Sequence, residues 1–222
     1  MIFVNFKTYQ EATGTRAVEL VRILSLCQSQ TKIPIIPVVQ AMDIRSSMIA
    51  TDYNIWAQHI DGVEQGQTTG WITAPAVSQA GAVGTFLNHS EHKLLDKELT
   101  AAFAQAAAMA LDTLIFAADI PELKKVMKLA PTYMAYEPPE LIAAKDTSVS
   151  RAKPQVIAEA VKIAQAANIP LIVGAGVKTA ADVKKSLELG AAGVAVSSAV
   201  VLADDPKKAI LELAKGFKPS LA

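Results

Sequence analysis

Ile2-Phe3-Val4-Asn5-Phe6-Lys7-Thr8-Tyr9 is a short apolar run that ends in polar residues and contains no glycine. Successive apolar positions suit a strand covered on both faces, as in a parallel sheet. An open doubly wound sheet would carry a glycine-rich turn directly after such a first strand. Lysine, threonine and tyrosine follow Phe6 instead. The closed alternative, a (β/α)8 barrel with an outer ring of helices, is the better reading.

The same pattern repeats along the chain. Strand-like runs are expected at 33–39, 54–58, 82–87, 113–117, 132–136, 170–173 and 193–196. Helices are expected at 15–28, 96–109, 121–129, 154–167, 180–189 and 206–215, with weaker signals at 42–50 and 74–80. Pro121, Pro154 and Pro206 sit where a first-turn proline loses no hydrogen bond. Thr179 with Asp182 reads as a helix cap with an acidic third position, and Gly190 as a helix stop. No Pro/Gly/Ser-rich linker divides the units, so residues 1–222 are expected to form one barrel domain.

Composition narrows the function. The 21 basic residues are matched by 21 acidic ones, and no basic stretch supports nucleic-acid binding. No apolar run approaches the ~18 residues of a membrane span, and Met1 leads into Ile2 without a signal-like region. A cytoplasmic protein is expected. The one cysteine, Cys27, excludes an intrachain disulfide and shares an apolar stripe with Leu20, Ile23 and Leu24. A mean hydropathy of +0.30 suits either a two-layer barrel core or helices covered by partner subunits.

Barrel chemistry gathers where strands end. Those places hold Asn5 and Lys7, then Gln58 and His59, then Asn88 to Glu91, Glu137, Gly174 to Gly176, and Ser197 with Ser198. The small residues after strands seven and eight let backbone amides approach an anion, though Gly-Ala-Gly also suits a tight turn. Lys7 reads as a cation for a phosphorylated substrate or as a salt-bridged structural lysine. Glu137, ahead of Pro138 and Pro139, is a held carboxylate able to take a proton beside a carbonyl. A capping or ion-paired glutamate is its alternative. His89 precedes Ser90-Glu91, where a helix start would favour a neutral imidazole that donates to a substrate oxygen; a turn histidine is the other reading. His59 reads as packed or at an interface, and His92 as a surface helix residue. One cysteine and no carboxylate or histidine repeat leave no metal site. Phosphate, base and polarising imidazole together suggest aldose–ketose isomerisation through an enediolate, without a cofactor.

These motifs resemble the triosephosphate isomerase family, its short archaeal branch most closely, from Asn5 to about Pro206. Asn5-Phe6-Lys7 is similar to the family's first-strand motif, and Gly81 to Glu91 to its strand-four motif. Tyr136-Glu137-Pro138-Pro139-Glu140-Leu141-Ile142 resembles the base and the start of the mobile lid. The resemblance implies interconversion of D-glyceraldehyde 3-phosphate and dihydroxyacetone phosphate, in glycolysis and gluconeogenesis. It implies Glu137 as base, His89 as neutral electrophile and Lys7 as anchor. Asn5, Phe6, Ile142, Gly176, Ser197 and Ser198 fall at substrate-binding positions, and Glu91 supports the site through Lys7. Thr69-Gly70 is similar to a loop tip that enters a neighbouring subunit's site, which implies a homodimer or homotetramer.

Two departures stand out. Where the family has Gly-Thr-Gly in the lid, residues 143–149 read Ala-Ala-Lys-Asp-Thr-Ser-Val, one residue longer, so a slower lid is expected. After strand five the family's cysteine is missing from Phe116-Ala117-Ala118, for which no chemical role is expected. A sugar-phosphate epimerase would want paired acid–base groups and metal-ligand histidines. A catalytically dead barrel would have lost Lys7, His89 or Glu137.

Overall fold

The computed structural model describes residues 1–138 and 154–217. Eight strands run in chain order around a closed barrel: β1 (Ile2–Asn5), β2 (Ile35–Val39), β3 (Ile55–Ala57), β4 (Ala82–Leu87), β5 (Asp112–Ala117), β6 (Tyr133–Tyr136), β7 (Leu171–Val173) and β8 (Gly193–Val196). Every pairing is parallel, and the barrel closes where Ile2, Phe3 and Val4 pair with Val194, Ala195 and Val196. The helices outside it are α1 (Thr15–Thr31), α2 (Ala41–Thr51), α3 (Ala74–Ala80), α4 (Asp96–Ala108), α5 (Ile120–Met127), α6 (Pro154–Ala166), α7 (Ala180–Glu188), α8 (Ser198–Val201) and α9 (Pro206–Ala214). Among the described residues, no helix is long and apolar enough to cross a membrane.

Two separate apolar layers explain the unbroken strand runs. Along β1, Phe3 points into the barrel with Val38, Trp56, Phe86, Leu114 and Ile172, while Ile2 and Val4 pack outward beneath the helices. Each such side chain contributes roughly 1.5–3 kcal/mol on burial, so neither face favours a polar residue. Aromatic rings fill the interior: Phe3 and Trp56 meet edge to face at 5.0 Å, and Phe86 meets Phe116 at 4.9 Å. Gly84 makes room for this, because a Cβ there would lie 2.4 Å from the Trp56 ring. Cys27 is fully buried on the barrel side of α1, with Leu20 and Leu24.

Strand positions agree with the sequence reading to within two residues. Helix ends agree as closely, with α1 the exception. α1 runs three residues past Gln28 and stops at Lys32, whose φ is +62°. Asp52, Ala110, Ala130 and Asn168 take the same left-handed conformation just after other helices. Glycine is the usual sign of such a stop, and among the described residues only Gly81 and Gly190 show it. The helix starts were legible. Thr179 and Asp182 form a reciprocal cap, Asp119 caps the helix that holds Pro121 second, and Asp205 caps the one that opens with Pro206.

Candidate active site

A cavity opens at the C-terminal ends of the strands, where Lys7, His89 and Glu137 meet Asn5, Gly176, Ser197 and Ser198. Phe6 does not line it. That side chain is fully buried in the layer between barrel and helices. Thr69 is exposed in the β3–α3 loop, away from the cavity lining. Ile142 and the lid segment 143–149 lie outside the described residues.

β1 delivers Lys7 in a left-handed conformation, φ +46°. Such backbone costs an ordinary residue roughly 1–2 kcal/mol and needs support. The Asn5 side chain accepts the Lys7 amide hydrogen (2.9 Å), and Gln58 Nε2 donates to the Lys7 carbonyl (2.8 Å). Lys7 Nζ contacts Glu91 Oε1 at 2.6 Å. The lysine side chain is one-fifth exposed, less buried than its strand-end position suggested. Gln58 stood among the strand-end residues, but a contact to a carbonyl leaves no mark in sequence.

His89 follows β4. No helix begins beside it. His92 N–H closes a tight turn onto the His89 carbonyl (2.9 Å), and α4 starts only at Asp96. The neutral imidazole has another cause. Burial pushes its pKa down to about 4; Glu91 opposes this, while Lys7 and Lys93 reinforce it. The Glu91 amide donates to Nδ1 at 3.1 Å, which assigns the proton to Nε2. That Nε2–H lies 3.5 Å from Glu137 Oε2. The Phe116 ring meets the imidazole edge to face at 4.8 Å.

Glu137 follows β6 and is 6% exposed. Its amide donates to the Ala117 carbonyl (2.9 Å) and its Oε2 accepts from Ser90 Oγ (2.9 Å). Burial raises its pKa to about 7 against the pull of Ser90 and Lys7, with Glu91 adding to the rise. A carboxylate near neutrality is tuned for proton transfer at working pH. Phe116 and Ala117, for which no role was expected, therefore hold both partners: one by its ring, the other by its carbonyl.

The opposite flank is built from main chain. Gly176 takes φ +68° in the turn after β7. Asp182 Oδ2 accepts the amides of Lys178 and Thr179 and so pins that turn to α7. Ser198 opens α8, whose first amides have no partner within the helix. Ser197 Oγ is buried and has no hydrogen-bond partner among the described residues. A buried polar atom in that state beside a cavity suits an anionic ligand. Lys178 also lines this flank, and the sequence reading had not placed it there.

The remaining histidines serve elsewhere. His59 is buried, contacts Asp61 at 3.1 Å and stacks on His92 at 4.1 Å. His92 is exposed as expected but stands in the turn, outside any helix. No three His, Cys, Asp or Glu side chains converge as a metal cage among the described residues.

Comparison with known proteins agrees with this geometry. The family model described as "Triosephosphate isomerase" matches residues 1–117 and 115–215. The triosephosphate isomerase of Methanocaldococcus jannaschii is 36% identical over 217 residues, 97% of this chain and 99% of that protein. Those of Methanobacterium bryantii and Thermoplasma volcanium are each 36% identical over 96% of this chain, covering 95% and 99% of their own lengths. The crystal structure of the Bartonella henselae enzyme superposes with a TM-score of 0.70 over 90% of this chain and 92% of its own, at 18% identity, a likeness of fold. Full-length similarity, the closed barrel and the residues at its mouth place this chain in the triosephosphate isomerase family.

Proposed function

We propose that Glu137 is the base and His89 the electrophile in the interconversion of D-glyceraldehyde 3-phosphate and dihydroxyacetone phosphate. Glu137 takes a proton from the carbon beside the substrate carbonyl. His89 Nε2–H donates to the carbonyl oxygen as charge develops there, and the enediolate forms. His89 passes its Nε2 proton to the former carbonyl oxygen and takes up the proton of the neighbouring hydroxyl. The Glu137 carboxylic acid returns its proton to the former carbonyl carbon, and the new carbonyl forms at the other carbon, so no redox partner is required. Lys7 supplies positive charge, and the amides of Gly176, Ser197 and Ser198 receive the phosphate. One observation carries the reading: a buried carboxylate with a pKa of about 7 faces the protonated nitrogen of a neutral imidazole. A coupled dehydrogenase assay with D-glyceraldehyde 3-phosphate tests it. Turnover that disappears in Glu137→Ala is expected; no turnover by the wild type refutes it.

Self-association belongs to the same proposal. Thr69 and Gly70 sit in an exposed loop beside Trp71, which is 56% exposed, and Met42 is 90% exposed at a groove that reaches Lys7 and His59. Apolar side chains left so open suit a protein contact. We place the loop tip at the neighbouring subunit's site, in a homodimer or homotetramer, with action in the cytoplasm and Ile142 on the substrate as the family resemblance implies. Thr69→Glu should reduce oligomer size and activity together. A fully active monomer in light scattering would refute this assembly.

A further inference from the structure

The orientation of His89 is fixed from outside the cavity. Asn88, the residue before it, is 2% exposed and held at φ +57°. Its side chain is fully engaged. Nδ2 donates to the Phe116 carbonyl (2.9 Å) and to Glu122 Oε1 (2.8 Å), and Oδ1 accepts the Leu94 amide (3.0 Å). Asn88 is therefore tied to β5, to α5 and to the far side of its own turn.

Glu122, in the first turn of α5, is the hub of this arrangement. Its Oε1 also accepts from Lys93 Nζ (2.7 Å), and its Oε2 accepts from Lys93 Nζ (2.9 Å) and from the Ala118 amide (2.6 Å). One carboxylate thus grips residues 88 and 93, which bracket the turn carrying His89. It anchors both to Ala118, the neighbour of the Ala117 carbonyl that holds the Glu137 amide. Burial pushes the Glu122 carboxyl up, but Lys93, the Ala118 amide and Asn88 outweigh it and keep it below the ordinary carboxylate range. Neither Glu122 nor Lys93 lines the cavity. A glutamate serving only as a first-turn acid would have no need of Asn88 or Lys93.

We infer that Glu122 is a positioning residue for the isomerisation: through Asn88 and Lys93 it clamps the His89 turn onto the end of β5 and so sets the direction of the His89 Nε2–H relative to Glu137. This rests on the reading of His89 as electrophile. The clamp acts on the chemical step rather than on phosphate binding, because its contacts lie on the β4–β6 side. Misplacing a reacting group by ~1 Å lowers rates about a hundredfold. Removing the carboxylate should therefore lower kcat by roughly ten- to a hundredfold and leave KM within about twofold.

The experiment is a double-mutant cycle on the full chain with Glu122→Ala and Asn88→Gly. It is read by kcat, KM and the imidazole nitrogen NMR signals of His89. Glycine accepts the left-handed backbone, so Asn88→Gly removes the ties without adding strain. If Glu122 acts through Asn88, the double variant should be no slower than the worse single variant, and the His89 signals should shift or broaden in all three. Glu122→Gln, which keeps one acceptor oxygen, should recover part of kcat. If Glu122→Ala does not fold, Glu122→Gln and Lys93→Met carry the same comparison. A lower melting temperature with unchanged kcat and unchanged His89 signals would overturn the inference, and so would losses that multiply in the double variant. A wild type without isomerase activity would sink the functional reading instead, while the NMR signals would still report whether Glu122 orients His89.

Discussion

The two flanks of the cavity are made of different materials. On the β4–β6 flank, side chains act: His89 and Glu137 lie 3.5 Å apart, each with a pKa moved by burial. On the β7–β8 flank, the useful groups are amides of small residues and the Ser197 hydroxyl, which has no hydrogen-bond partner among the described residues. The first flank needs a particular side chain at a particular place, and hydrogen bonds from residues outside the cavity hold it there. The second is mainly a backbone path, so apart from the Ser197 hydroxyl it should tolerate side-chain truncation and fail when an amide is deleted.

The largest effect tests the first flank. Glu137→Asp retracts the carboxylate by one methylene and should lower kcat by about a hundredfold or more with little change in KM. Near wild-type kcat in steady-state assays would remove Glu137 from the chemistry. Next comes the second flank. Ser198 is the first residue of its helix, so Ser198→Pro costs no helical hydrogen bond but deletes one donor and strains Ser197, whose φ of −143° and ψ of −95° lie outside the extended region favoured before proline. Losing a charge-assisted hydrogen bond is worth about 1.5–3 kcal/mol, so KM should rise by roughly ten- to a hundredfold. Melting temperature controls for strain on Ser197. Ser198→Ala should stay within about threefold, and Ser197→Ala should cost more because its hydroxyl is buried and uncommitted. Equal losses for alanine and proline would erase the contrast between the flanks.

The same comparison has a stability side. Folding raises the Glu137 pKa from 4.5 to about 7, so the folded state holds that proton longer than the unfolded one. Stability conferred by this group therefore falls as pH rises between about 4.5 and 7, and above 7 the deficit levels at roughly 3 kcal/mol. Glu137→Gln should raise the melting temperature by several degrees at pH 8 and not at pH 4, by calorimetry. No gain at pH 8 would mean that the carboxylate is not strained by burial. Ser198→Ala, by contrast, should leave melting unchanged at either pH.

A smaller effect lies away from the cavity. Ala110 and Ala130 hold left-handed φ values of +52° and +53° just after α4 and α5. Glycine relieves that strain but loosens the unfolded chain, so Ala110→Gly should gain no more than about 1 kcal/mol in denaturant melts. A loss of stability would show that the alanine methyl packs usefully there.

Legibility in the sequence followed the same division. The strands could be read because burial on both faces leaves runs such as Leu114-Ile115-Phe116 without polar interruption. Lys7, His89 and Glu137 could be found because a cation, an imidazole and a carboxylate stand out where apolar strand runs end. The neutrality of His89 was expected for a different reason, a helix start, and comes from burial in a turn. Phe116 and Ala117 were passed over because they act through a ring contact and a carbonyl. Gln58, Asn88 and Glu122 act through hydrogen bonds that only the fold brings together. The helix stop at Lys32 went unseen because the residue there is not the glycine that marks such turns, whereas the stops before Ala110 and Ala130 were placed within two residues by the end of the apolar pattern.

The central claim is that burial tunes Glu137 into a base that works near neutrality. Its most direct test is kcat/KM for D-glyceraldehyde 3-phosphate against pH, corrected for the ionisation of the substrate phosphate near pH ~6. The corrected rate should fall about tenfold per pH unit below a midpoint of about 7 and level off above it. A profile that follows the substrate's ionisation alone, flat once corrected, would contradict the account.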